Sequence, residues 1–225
     1  MNIPPLKISV CSLLLLFFLI NYPLSTCGWG QVVYLGKDRS IFSDGRHIMK
    51  GRDALLNFNP KAALPNFEAI AQSNPNYINC AQGFCVGIWT YLGRIYHELG
   101  NNQKALENLN KGKGRYYSDS FNKIYLGLVM AQTGQIQEGK VELDAGLEAL
   151  GAWLSSFAGR GSTGRYWDPS GKLQKAIADT RNLLQGAKIN WDKVNDYVRW
   201  LGVNFEEEVR DVASDKQRDK GGGDD

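Results

Sequence analysis

The sequence predicts an all-α fold: an α-solenoid of about three helix-turn-helix repeats with a C-terminal helical cap. Three observations lead there. Displaced by 34 residues, the stretch from Tyr91 to Gly112 meets a copy of itself. Tyr91 falls on Tyr125, Leu92 on Leu126, Gly93 on Gly127, Gly100 on Gly134, Gln103 on Gln137, Leu109 on Leu143 and Gly112 on Gly146. Ordinary composition would give roughly two such identities by chance. Within the period, Trp89, Leu92 and Tyr96 recur at three- and four-residue spacing and form one helical stripe, while Gly93 is small enough to admit a neighbouring helix. Convincing strand alternation is absent.

The elements follow in chain order. The 225 residues, 43% hydrophobic and 22% charged, suffice for one domain with a sizeable core. Residues 1–26 stand apart as an export signal: a start with the single cation Lys7, an apolar run from Ile8 to Ile20, and a polar stretch leading to Cys27. That run is shorter than the roughly 20 residues a membrane-spanning helix needs. Leu24, Ser25, Thr26, Cys27 and Gly28 resemble the lipobox of bacterial lipoproteins, with Thr26 where glycine or alanine is usual. The resemblance implies lipid on Cys27 as the mature N-terminus, and Gly28 after it implies delivery to the outer membrane. Residues 27–43 read as a linker.

The array spans residues 44–153, and its clearest repeat is 86–119. Trp89, Leu92, Gly93 and Tyr96 mark a first helix, Gly100 the turn, and Ala105 with Leu109 a second helix. These residues resemble the tetratricopeptide repeat, whose 34-residue unit reads W-x2-L-G-x2-Y, then A-x3-F, then proline. The next unit, 120–153, keeps Leu126, Gly127, Gly134 and Leu143 but has Lys123 in the tryptophan's place. An earlier unit, 44–77, shows Gly51, Ala63, Phe67 and Pro75. In such arrays no hairpin buries its apolar face alone, so stacking makes the core. The resemblance also implies a concave groove, lined by the first helices, that accepts a peptide or helix of a partner. Its groove-side places would hold Arg52, Tyr91, Arg94, His97, Glu98, Tyr125 and Leu128. Arg52 and Arg94 occupy equivalent places. Either they take carboxylates while the tyrosines supply contact area, or they only keep the groove soluble. The lysine and asparagine set of family members that clamp a C-terminal carboxylate is missing.

Between the first two units lies an insertion, 78–85, with Cys80 and Cys85. Since Cys11 leaves with the signal and Cys27 takes lipid, these two remain, close enough for a disulfide in an oxidising compartment. After the array comes a glycine- and aromatic-rich loop, 154–168. Trp153, Phe157, Tyr166 and Trp167 there either pack onto neighbouring helices or form an exposed patch, a second contact site. Residues 169–214 predict helices that cover the end of the array. Asp168 caps the first, with Pro169 in its first turn. Asn190 caps a second, which Gly202 ends, and Asn204 with Glu207 starts a third. Residues 215–225 read as a disordered tail. From Glu206 onward the chain carries a net −4, and the body from Cys27 to Phe205 carries +6.

Composition and motifs also limit function. A formal net charge of +3 without a lysine- and arginine-rich run gives no footprint for nucleic acid. The two histidines are His47 and His97, and HELGN lacks the second histidine of a zinc protease. Gly159, Gly161 and Gly164 satisfy G-x-G-x-x-G but follow a helix, whereas a dinucleotide site follows a strand. No nucleophile elbow, haem motif or P-loop occurs. The expectation is a non-enzymatic protein-interaction adaptor or assembly factor of the bacterial cell envelope. It takes no cofactor or metal and meets the membrane only through its lipid. The alternative is a permanent structural subunit of a larger envelope or extracellular protein assembly.

Overall fold

The protein is described by a computed structural model over residues 40–81, 83–115, 119–157 and 167–221. The expected signal, the linker up to residue 39 and the G-x-G-x-x-G stretch lie outside those residues. Among the described residues are eight helices and one small hairpin of strands. Helices α1 (Ser40–Leu56) and α2 (Pro60–Ser73) form the first helical pair. Strands β1 (Ile78–Ala81) and β2 (Phe84–Gly87) lead into the second, α3 (Ile88–Glu98) and α4 (Asn102–Gly112). A third pair is α5 (Ser120–Gln132) and α6 (Ile136–Phe157), followed by α7 (Lys172–Gln185) and α8 (Trp191–Gly221).

Local chemistry sets the boundaries. Asn59, Asn101, Asp119 and Asn190 each accept a hydrogen bond from the amide three residues on, at 3.0, 3.1, 3.0 and 3.0 Å. Each satisfies one orphan donor of a helix start. Gly100 (φ 77°) and Gly134 (φ 99°) hold equivalent places in the turns of successive pairs. A Cβ is disfavoured in that left-handed conformation. The partners within each pair pack together, and so do α2 with α3, α4 with α5, and α6 with α7.

Glycine sets how close the paired helices come. A Cβ on Gly93 would collide with Leu109 across the α3–α4 seam. On Gly127 it would collide with the backbone of Gly139 and Leu143, and on Gly139 with the backbone of Gly127 and Ala131. The α5–α6 seam is therefore backbone against backbone. Ile95, Ala105, Leu109, Leu126 and Leu143 are completely buried around these seams.

Three expectations need correction. The insertion is a β-hairpin, with Cys80 opposite Cys85 at disulfide distance and their Cα atoms 4.0 Å apart. Ala81 pairs with Phe84 at the end of the hairpin, and Gly83 takes a left-handed φ of 90°. Asp168 does serve α7, accepting from the amides of Leu173 and Gln174 at 3.0 and 2.9 Å. Pro169, however, precedes the helix, which begins only at Lys172.

The third correction concerns the C-terminus. Gly202 ends nothing, and Asn204 starts nothing: α8 runs unbroken to Gly221, so residues 215–221 are helix too. Its buried residues Val194, Val198, Leu201, Phe205, Val209 and Val212 keep three- and four-residue spacing straight through Gly202. Only α7 covers the end of the array as expected. It packs on α6, where Arg181 holds Asp144 at 2.7 and 3.2 Å and Glu148 at 3.2 Å. Helix α8 turns back and packs against α1 and α5.

Candidate functional site

The face made by α1, α3 and α5 is where sequence places the groove, and α8 lies in it. Arg52 of α1 pairs with Glu206 of α8. Tyr91 is buried, stacks on Phe67 with centroids 4.6 Å apart, and accepts a hydrogen bond from Asn79 Nδ2 at 3.2 Å. One turn on, buried Arg94 pairs with Glu98 at 2.7 Å and donates from Nη1 to the carbonyl of Gly202 at 3.1 Å. His97 sits between two asparagines, with Nδ1 3.1 Å from Asn102 Oδ1 and Nε2 2.9 Å from Asn195 Oδ1. Tyr125 and Leu128 are buried in the core.

Arg52, Tyr91, Arg94 and Tyr125 line one small cavity with Gly202, Phe205 and Glu206, so they meet the chain's own helix, while Leu128 lies in the core. His97 is 8% exposed and Arg94 4%. A bulkier residue at 202 would strike Tyr125 Oη and the Arg94 guanidinium, so glycine there lets α8 lie close. Burial raises the phenol pKa of Tyr91 and of Tyr125, keeping both neutral. Beside these groups is a cavity of about 20 Å³, lined by Thr90, Arg94, Tyr125, Gly202, Phe205 and Glu206 among others. That is room for about one water. Among the described residues, neither Arg94 Nη2 nor Tyr125 Oη has a hydrogen-bond partner.

Phe205 of α8 supplies the apolar anchor. Its ring lies 4.4 Å from Phe84, 5.2 Å from Phe121, 5.2 Å from Trp167 and 6.0 Å from Trp153. The suggested second contact site is therefore turned inward at Trp153 and Trp167, which meet edge to face at 4.7 Å. The Phe157 side chain and Tyr166 lie outside the described residues. The packing residues sit as their pattern requires: Leu92, Ala105 and Leu126 buried, Trp89 and Tyr96 half-buried against the core. Lys111 lies over the Trp89 ring at 5.1 Å.

Sequence reasoning missed the residues of α8, namely Asn195, Gly202, Phe205 and Glu206. The signal was present in the unbroken apolar spacing of that helix. It also missed Asp119, a hub as well as a cap. Its carboxylate accepts from Gly87 N at 2.8 Å, Thr90 Oγ1 at 2.7 Å and Asn122 N at 3.0 Å, joining the hairpin, α3 and α5. Asn122 Nδ2 donates in turn to Thr90 Oγ1 and to the Leu109 carbonyl, both at 3.1 Å. Burial pushes Asp119 up to about 6, against the pull of these hydrogen bonds.

Among the described residues no group of three or more His, Cys, Asp or Glu could hold a metal ion, and no helix is long and apolar enough to cross a membrane. The arrangement seats the chain's own α8 through a charge pair, a backbone hydrogen bond, a close-approach glycine and an aromatic box. No known protein family, curated protein or solved structure matches the chain.

Proposed function

We propose that this chain is a non-enzymatic adaptor or assembly factor of the bacterial cell envelope. Lipid at Cys27 anchors it, and the face of α1, α3 and α5 binds a partner helix. The three helical pairs are read as tetratricopeptide units. Supporting that reading, glycines 34 residues apart recur at equivalent close contacts, Gly93 with Gly127, and at equivalent left-handed turns, Gly100 with Gly134. The observation that carries the function is the seating of α8. A groove that already holds an amphipathic helix by charge, hydrogen bond and aromatic anchor has the chemistry of helix-in-groove recognition. The structural-subunit alternative rests on large apolar faces, the Trp153 to Trp167 loop among them; of that loop, Trp153 and Trp167 pack inward.

The test is photo-cross-linking in intact cells from exposed groove-rim positions such as Gln132, followed by mass spectrometry. A discrete protein cross-linked from the rim, and not from the outer face of α4, is the expected result. Equal labelling from both faces, or none from either, would overturn the adaptor role. The anchor is checked separately with a palmitate analogue, whose incorporation is to vanish in Cys27→Ser.

A further inference from the structure

We propose that α8 is an exchangeable occupant of the groove, and that the partner enters as an amphipathic helix. That helix presents a glycine, an aromatic residue three positions on, and an acid immediately after it. The inference rests on the adaptor reading and deepens it, because α8 shows in outline what the groove recognises.

The contact residues of α8 form a ruler. From Asn195 to Gly202 is seven residues, two helical turns, so both face the groove, and Phe205 and Glu206 follow on the same face one turn later. Each meets a dedicated receiver. Asn195 reaches His97; the Gly202 carbonyl takes a hydrogen bond from Arg94; Glu206 pairs with Arg52. Phe205 fills the box of Phe84, Phe121 and Trp167. A Cβ at 202 would meet the ends of the Tyr125 and Arg94 side chains, so glycine at that level gives the closest approach. Charge agrees: the receiving face carries arginines, and α8 answers with an acid.

Beneath α8, Arg94 Nη2 and Tyr125 Oη make no hydrogen bond to a described residue, and the small cavity beside them has room for about one water. The connection allows release as well. Helix α7 stays fixed to α6 through Arg181, Asp144 and Glu148, and residues 186–190 join it to α8. Lifting α8 turns residues 186–190 and also parts α8 from α7 and the turn before it, where Asp168 N donates to Glu208 at 2.6 Å and Lys172 lies 3.7 Å from Glu207. Because α8 is tethered, it competes at high effective concentration, and a partner must bind intrinsically more tightly.

The experiment uses the full chain and a fluorescent peptide with the sequence of residues 191–212. Gly202→Leu in the chain keeps helix propensity high but drives the side chain into Tyr125 and Arg94, displacing α8. Anisotropy titration is expected to show the peptide binding at least tenfold more tightly to this variant than to the wild-type chain. The same peptide carrying Phe205→Ala or Gly202→Leu is expected to lose that gain. A Gly202→Leu chain that folds yet binds no better than wild type would overturn the proposal. If Gly202→Leu does not fold, Glu206→Gln decides, since it removes the ion pair without a clash. A gain of threefold or more supports exchange, and no gain refutes it.

Failure of the adaptor reading is separable. Peptide uptake without any rim-specific cross-link in cells would sink the adaptor role and leave helix exchange standing. Cross-links without peptide uptake would do the reverse.

Discussion

The α5–α6 seam and the α8 seat join helices to helices by opposite means. At the seam, Gly127 and Gly139 bring backbones into contact and the neighbours Leu126 and Leu143 are completely buried. At the seat, an apolar stripe with Phe205 at its centre is joined by an ion pair, a guanidinium on a carbonyl and a histidine between asparagines. Glycine serves both, but against backbone in one case and against side-chain ends in the other. Backbone cannot yield, whereas a seated helix can lift. The seam is built for permanence and the seat for exchange.

The largest effect expected is at the seam. Gly127→Leu drives a side chain into the backbone of Gly139 and Leu143, and overpacking of that kind costs about 3 kcal/mol. Urea denaturation followed by circular dichroism measures it. Gly202→Leu is expected to cost clearly less, because α8 can move away. Equal losses would erase the distinction between the two interfaces.

Asp119 offers a second, comparable perturbation on the permanent side. Asp119→Ala strands Gly87 N, Thr90 Oγ1 and Asn122 N, a loss of about 2–3 kcal/mol. The wild-type carboxyl also gives a pH dependence of defined sign. Its folded-state pKa is raised from an ordinary 3.8 to about 6, so the folded protein holds this proton more tightly than the unfolded chain. Its contribution to stability is fully present below about pH 4 and is lost as pH rises through about 6, with an amplitude on the order of 3 kcal/mol. Asp119→Asn is expected to flatten that window when unfolding midpoints of variant and wild type are compared from pH 4 to 7. An unchanged slope would show that the carboxyl titrates normally.

What the sequence revealed and what it hid divide along the same line. The seams were legible because they repeat: Gly93 and Gly127, Leu109 and Leu143, Gly100 and Gly134 recur after 34 residues, and a period is visible without knowledge of any contact. The caps Asn190 and Asp168 were legible because capping is local chemistry. The seat occurs once, and its contacts join residues 98 to 154 positions apart, such as His97 to Asn195 and Arg52 to Glu206. No local rule announces them. Gly202 was misread because glycine after an apolar run usually ends a helix, and only Tyr125 and Arg94 opposite it explain why this one does not. The hairpin was missed for a different reason. Four-residue strands give too short an alternation to be read from the sequence.

The hairpin also couples the two interfaces. Replacing Cys80 and Cys85 by serine frees a short loop, with a loss of about 2 kcal/mol or less. Phe84, on the strand that carries Cys85, touches Phe205 of α8. Loosening the hairpin should therefore raise amide hydrogen exchange in α8 more than in α5. Uniform acceleration across both helices would mean that the hairpin supports the whole fold equally.

The smallest expected effect falls on the ion pair of the seat. The side chains of Arg52 and Glu206 are 20% and 9% exposed, so the pair is neither a freely solvated bridge nor a sealed one. Arg52→Gln keeps one donor for Glu206, and Tyr91 remains stacked on Phe67 beneath it. A partly exposed pair loses on the order of 1 kcal/mol when one charge is removed. That loss should belong to α8 alone. The midpoint of global unfolding is expected to change little, while amides of α8 from Val194 to Val209 exchange several times faster and those of α5 and α6 do not. If the exchange of α5 and α6 accelerates in step with α8, the groove and its occupant unfold as one unit, and the seat is then as permanent as the seam.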